Sequence, residues 1–287
     1  MKKIFAALLA AAAAVTMTGC SSAPANGMMS YDFKEMSMDF IQLSPPKDGD
    51  TIAVFDTDYG EIRTVLYEEY APNKVNSFIE KVNAGVYNNI EIKGVSNDVF
   101  FLTGGFENSK GQYIGREDKS ELLLNEYTPE LWPFRGALMG YSEQSGYSDA
   151  RWFMCWDDKE NLTEDSINEL KSGAKNIKDE LQRNNMIGLF EKFYEVGGVF
   201  GVAGECTVFG QTYLGFDVVE KLTHIPADDQ GQATTKVMIK SVTISQFKDG
   251  DAVDEFPLFH PEGMPQESQT GEAGGQPDTS SDEQSAE

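Results

Sequence analysis

The stretch YNNIEIKGVSNDVFFLTGG, Tyr87 to Gly105, reads as two short strands around a polar break, closing on a Gly-Gly pair. It has the form of a binding-site wall, yet Lys93 is its only cation and it holds no His, Cys or Arg. Just before it, APNKVNSFIEKVNAGVY (Ala71 to Tyr87) reads as a helix. Pro72 suits a first helical position, and Val75, Phe78, Ile79 and Val82 recur at three- and four-residue spacing, giving one apolar face. Gly85 then stops the helix. Further upstream, TIAVFDTDYGEIRTVLY (Thr51 to Tyr67) alternates and turns at Asp58-Tyr59-Gly60, a strand-turn-strand signal.

Downstream, RGALMGY, ARWFMCW and GECTVFGQ are short apolar runs mostly bounded by Gly, and TKVMIKSVTISQF (Thr235 to Phe247) is a final alternating strand. Many strands with one early helix predict a mainly β fold, a closed or nearly closed β-barrel capped by helices. Between about residues 157 and 196 lies a charged, mostly helical insertion. Its Leu181, Ile187, Leu189, Phe190 and Phe193 are candidates for docking it on the barrel.

The chain opens MKKIFAALLAAAAAVTMTGC. Lys2 and Lys3 form a basic n-region, the apolar run is too short to span a membrane stably, and small residues lead to Cys20, the pattern of an export signal. MTGC is similar to a bacterial lipobox. Residues 1–19 are therefore expected to be a lipoprotein signal peptide. Cys20 is the expected lipidation site, and several acyl chains anchor stably. Residues 20–48 are expected to be a flexible tether in which Met28, Met29, Met36 and Met38 have no assigned role. The folded domain then covers 49–247, enough for one ordinary core. The formal charge is −24, and no Lys or Arg follows Lys248. Residues 248–287 are polar, acidic and rich in Gly, Pro and Ser, and read as a disordered tail. An acidic chain without a basic cluster is not expected to bind nucleic acid. Two cysteines beyond Cys20, Cys155 and Cys206, make no disulfide scaffold. Buried free thiols are the expectation for both. His224 and His260 are isolated, without metal-ligand spacing, so neither a metal nor another cofactor is expected.

Taken in order, these segments resemble a cyclophilin-type peptidyl-prolyl cis-trans isomerase. The early hairpin and APNKVNSFIEKVNAGVYNN look like the family's opening strands and first helix. FFLTGG resembles its Phe-Met-Ile-Gln-Gly-Gly strand, RGALMGY its Arg-Gly-Ala-Leu-Ser-Met-Ala segment, and ARWFMC its Ser-Gln-Phe-Phe-Ile. GECTVFGQTYLGFDVVEKL follows the Gly-x-x-Thr-Val-Phe-Gly pattern and the helix after it. The insertion followed by YEVGG resembles that of exported bacterial members. The resemblance spans residues 50 to 246.

The family's reaction makes and breaks no bond. Amide rotation has a barrier of ~18–20 kcal/mol. An apolar pocket grips the proline ring while an Arg donates to the prolyl nitrogen in the twisted state, which is differential binding of the transition state. Where the family carries Tyr-Asp-Gly-x-x-Phe-His-Arg-Val, this chain has Tyr87 to Val95, so Gly94 stands at the Arg position and Lys93 at the His position. One extra residue sits between Val95 and Phe100. The resemblance places Phe101, Phe153 and Val202 in the apolar pocket, Thr103 at a Gln position, Cys206 at a His position and Gly201 where many members carry Trp. Arg151 falls on a groove-lining position and is the candidate replacement donor.

The resemblance thus implies a membrane-anchored, extracytoplasmic proline isomerase that assists folding. Its partners would be proline-containing peptides or unfolded exported proteins, and its turnover would be weakened by the loss of the Arg. The alternative is a catalytically inactive peptide- or protein-binding lipoprotein.

Overall fold

The computed structural model describes residues 36–110, 112–116, 121–157 and 162–254. The signal segment, Cys20 and everything from residue 255 lie outside the described residues. The chain runs through β1 (Thr51–Thr57), β2 (Gly60–Leu66), helix α1 (Pro72–Asn83), β3 (Ile90–Glu91), β4 (Gly94–Ser96) and β5 (Phe100–Thr103). Short β6 (Phe106–Glu107) and β7 (Tyr113–Ile114) pair with each other, as do β8 (Leu123–Leu124) and β10 (Tyr147–Ser148), which flank β9 (Ala137–Gly140) in the chain. β11 (Trp152–Cys155) leads to α2 (Glu164–Ala174) and α3 (Glu180–Val196). Then β12 (Val208–Leu214), α4 (Phe216–Thr223) and β13 (Met238–Gln246) complete the domain.

Helix α1 forms where the apolar spacing places it. Val75, Phe78 and Val82 are buried. Pro72 occupies its first turn, and the first-turn amides of Asn73 and Lys74 donate to the carboxylate of Glu126 at 3.0 and 2.9 Å. A carboxylate there also complements the positive end of the helix. At the other end Gly85 takes φ +72°, and its amide reaches Val82 O, which ends the helix.

Nine strands form one antiparallel sheet in the order β3-β13-β1-β2-β12-β9-β11-β5-β4, curled into a half-barrel. The mainly β fold built on one curled sheet is as expected from the sequence; β3 and β4, at the two ends of the strand order, do not pair with each other. They are consecutive pieces of one segment and each pairs outward, the Ile92 amide with Val237 O and the Lys93 amide with Leu102 O. A hairpin over residues 226–234 covers the outer edge of β4 instead. The Val95 amide donates to Gly231 O at 2.9 Å and the Ala233 amide to Lys93 O at 3.0 Å. An open edge would present unpaired backbone groups, and this hairpin satisfies two of them.

The pleat of β11 sorts the interior into two clusters. Trp152 and Met154 face the inside of the curl with Phe55, Phe78, Tyr87, Phe101 and Phe209, while Phe153 and Cys155 face outward with Val202, Val208 and Met139. Aromatic rings fill the inside: Phe55–Trp152 centroids are 5.1 Å apart and Phe78–Phe209 5.3 Å.

The insertion is a pair of helices packed on each other, each capped by a side chain, Thr163 for α2 and Asp179 for α3. Leu189, Phe190 and Phe193 are buried as expected, Ile187 is half-buried against α2, and Leu181 is exposed. The domain extends further at both of its ends than the sequence indicates. The tether expected over 20–48 is corrected from residue 36 on. Met36 and Phe40 are buried, and Gln42 donates to Trp132 O at 2.8 Å and to Gln211 Oε1 at 2.9 Å. The tail expected from 248 is likewise ordered through Asp254, whose carboxylate accepts from Gly215 and Phe216 amides at 2.7 and 3.0 Å at the start of α4. These contacts are isolated and remote in sequence, so they leave no periodic trace.

Candidate active site

One row of side chains crosses the outer face of the sheet. Gly94 lies opposite Leu102, Leu102 opposite Phe153, Phe153 opposite Met139, and Met139 opposite Val208. Directly opposed residues in antiparallel strands point to the same face. Phe153 therefore has apolar neighbours on both sides. Phe100 adds an edge-on ring 5.6 Å from it. Val202, in a single turn of 3-10 helix over Phe200–Val202, belongs to the same apolar cluster, and Cys206 and Tyr141 pack against its edge. Phe153, Val202 and Cys206, three of the five pocket residues expected from the sequence, are thus brought together.

Phe101 and Thr103 are not, and the expectation is corrected. Both are fully buried, Phe101 in the interior cluster opposite Met154 and Thr103 opposite Trp152. The Thr103 hydroxyl donates to Glu91 O at 2.8 Å. Along β5 it is Phe100 and Leu102 that face outward. The resemblance aligned these residues by position along the chain, but the pleat decides the face, and a shift of one residue exchanges the two faces. The turn before β5 carries the extra residue, with Asp98 at φ +61° and the Val99 amide on Ser96 O.

Gly94 leaves a notch in the row. A Cβ placed there would lie 3.1 Å from Leu102 Cβ and 3.3 Å from its Cδ2, so the position faces the groove and is moderately tight. Lys93 does not supply a cation to it: its Nζ pairs with Glu91 at 2.8 Å.

Arg151 precedes β11 and is buried, with only 6% of its side chain exposed. Asp149 grips it at two points: Nε donates to Oδ1 at 3.1 Å and Nη2 to Oδ2 at 2.7 Å. Nη1 donates to Glu143 at 2.9 Å, and Glu143 is 77% exposed. The Tyr141 and Tyr113 rings lie 4.9 and 6.0 Å from the guanidinium carbon. Burial works against the charge. The hydrogen bonds and charge of Asp149, and then of Glu143, more than offset it and hold the guanidinium protonated. Cys206 borders a small cavity with Leu131, Val208, Tyr127 and Glu126. Burial, with Glu205 adding, pushes its thiol up to about 12, so at neutral pH it is a packing surface and not a nucleophile.

Sequence reasoning missed Lys74. It is buried inside the curl, over the Phe209 ring, and its Nζ donates to the backbone oxygens of Asp149 at 2.7 Å and Arg151 at 3.4 Å. Tyr87 donates to the oxygen between them, Ala150 O, at 2.8 Å. The segment that carries Arg151 is therefore held from within at three successive carbonyls. A Lys in the first turn of an amphipathic helix reads as solvated, and no sequence signal distinguishes this one. Burial lowers its pKa to about 7, with the charge of Asp149 opposing the shift.

The outer face of the curled antiparallel sheet thus carries an apolar row centred on Phe153. Residues 52–244 match the sequence model of the family described as Cyclophilin type peptidyl-prolyl cis-trans isomerase/CLD, and the chain belongs to that family. It is 26% identical over 199 residues to peptidyl-prolyl cis-trans isomerase B of Escherichia coli, covering 68% of this chain and all of that protein. A Staphylococcus saprophyticus protein provisionally named for the same activity is 23% identical over 206 residues, covering 71% of this chain and 98% of that one. A solved Cryptosporidium parvum cyclophilin type peptidyl-prolyl cis-trans isomerase, crystallised in the presence of the dipeptide ala-pro, is 16% identical with a TM-score of 0.46. That alignment covers 68% of this chain and 98% of that one.

Proposed function

We propose that this cyclophilin-type isomerase works outside the cytoplasm, anchored through lipid on Cys20. It would accelerate rotation about X-Pro bonds in exported chains, at a rate well below that of a site with an arginine at position 94. The observation that carries the reading is the outer-face row: Phe153 between Leu102 and Met139 is an apolar floor for a proline ring, and Gly94, on the far side of Leu102, offers no side-chain donor. Losing one preorganised donor to a transition state costs ~10²–10³ in rate. Arg151 is the replacement donor in this reading. Its Nη1 faces an exposed, exchangeable carboxylate, Glu143, whose place a peptide carbonyl can take while Asp149 keeps the rest of the guanidinium fixed.

The pairing of Arg151 with two carboxylates also favours a second reading, a peptide-binding domain with no turnover. Isomerisation of a proline tetrapeptide, measured with the wild-type chain beside Phe153→Ala, separates the two. Acceleration that disappears in the variant supports the enzyme. Peptide binding without acceleration, in a folded chain, supports the second reading and overturns the first.

A further inference from the structure

The outer-face row has one more member beyond Gly94. Gln232, in the hairpin over residues 226–234, forms an antiparallel bridge with Gly94. The flanking bonds run from the Val95 amide to Gly231 O and from the Ala233 amide to Lys93 O, so Gly94 and Gln232 are a non-hydrogen-bonded pair. In such pairs the Cα atoms are only about 4.5 Å apart and the side chains stand side by side on one face. That face is the groove face, because the virtual Cβ of Gly94 points at Leu102. The alternation agrees: Ala233, next to Gln232, packs on the interior cluster.

Gln232 is exposed, and among the described residues its carboxamide has no hydrogen-bond partner. Its backbone, in contrast, is fixed on both sides. Beyond the bonds around Gly94, the Gln232 amide donates to Asp228 Oδ1 at 2.9 Å and its oxygen accepts from the Asp228 amide at 2.9 Å. A rigid backbone thus presents a mobile donor–acceptor group next to the notch. With strands about 4.8 Å apart, Gln232 stands three strands from Phe153. The carboxamide can bend over Gly94 because no side chain there stands in the way.

We infer that Gln232 is a positioning residue for the bound peptide. Its carboxamide hydrogen-bonds the backbone of a residue flanking the proline, across the space left by Gly94. The inference rests on the peptide-isomerase reading above. An extended peptide whose proline sits on Phe153 carries unpaired N–H and C=O groups over Leu102 and Gly94, and burying them without partners is unfavourable. A carboxamide offers both a donor and an acceptor.

The test uses the full ¹⁵N-labelled chain and the blocked tetrapeptide acetyl-Ala-Ala-Pro-Ala-amide, with wild type, Gln232→Ala and Phe153→Ala. In the wild type, the side-chain amide resonance that is absent from Gln232→Ala is expected to shift on titration. Gln232→Ala is expected to raise KM and Kd about fivefold, the worth of one uncharged hydrogen bond, with kcat within about twofold and an unchanged Tm. If wild type binds and turns over but Gln232→Ala has the same KM and Kd, the role of Gln232 is overturned and the isomerase reading stands. If wild type neither binds nor accelerates the peptide, the isomerase reading fails and takes this inference with it.

Discussion

The ammonium of Lys74 lies 2.7 Å from the backbone oxygen of Asp149, so a helix on the inside of the curl holds the strand segment that displays Arg151 on the outside. The folded pKa of Lys74 is about 7, lowered mainly by burial, against about 10.4 in an unfolded chain. Between those values the unfolded chain binds more protons, so stability rises with pH. Urea unfolding is expected to give about 2 kcal/mol more stability at pH 9 than at pH 7 from this residue. Cys155 and Cys206, both pushed up to about 12 by burial, cap the gain, since the unfolded thiols ionise first above about pH 8.5. The stability difference between wild type and Lys74→Met is therefore the quantity to follow, since both chains carry the thiols, and it is expected to move by about 2 kcal/mol in favour of wild type from pH 7 to pH 9. A difference that does not change with pH over that range would contradict the assignment.

Removing Arg151 alone strands Asp149, whose side chain is fully buried. Arg151→Met is expected to cost about 3 kcal/mol, the usual penalty for an uncompensated buried charge. The double variant Asp149→Asn/Arg151→Met is expected to recover part of it. Additive losses in that cycle would mean that the two residues do not act as a pair.

Glu143→Gln probes the other side of the same guanidinium. Because Glu143 is largely exposed, the change is expected to alter stability by less than about 0.5 kcal/mol. Turnover is expected to rise severalfold, since Nη1 no longer faces a competing charge. Unchanged turnover would remove Arg151 from the reaction.

Restoring a guanidinium at the notch is the converse experiment. Gly94→Arg needs Leu102 to yield by a few tenths of an ångström, which a leucine side chain can do. Turnover on a proline tetrapeptide is expected to rise at least tenfold, within the range of one preorganised donor. Equal rates in a folded variant would place the weakness of the site elsewhere.

Anchoring is tested apart from the domain. Cys20→Ser is expected to release the protein from membranes into the soluble extracytoplasmic fraction. Intact mass of the wild type is expected to carry the acyl chains. A wild type that fractionates as soluble would exclude the anchor.

Much of the fold was legible because it is periodic. The spacing of Val75, Phe78 and Val82 placed α1, and the alternation of Thr235 to Phe247 placed β13. Of the candidate site, the meeting of Phe153 and Val202 in one apolar cluster was legible. It was misjudged at Phe101 and Thr103, because a two-residue period turns any one-residue offset into a change of face. Lys74, Gln42 and Gln232 were illegible for another reason. What each does is set by partners brought near only by the fold, as with Gln42 and Gln211, 169 positions apart in sequence.

The docking of Gln42 on Trp132 and Gln211 also sets an order of events. The segment from Met36 to Leu43 is synthesised ahead of the rest of the domain, yet its partners lie in β12 and in the loop before β9. It must therefore stay unattached until nearly the whole domain has emerged. Contacts of such long sequence separation form late and slowly. The first described stretch of the chain is thus among the last to settle, and its release under a pulling force at the N-terminus would be the first step of mechanical unfolding.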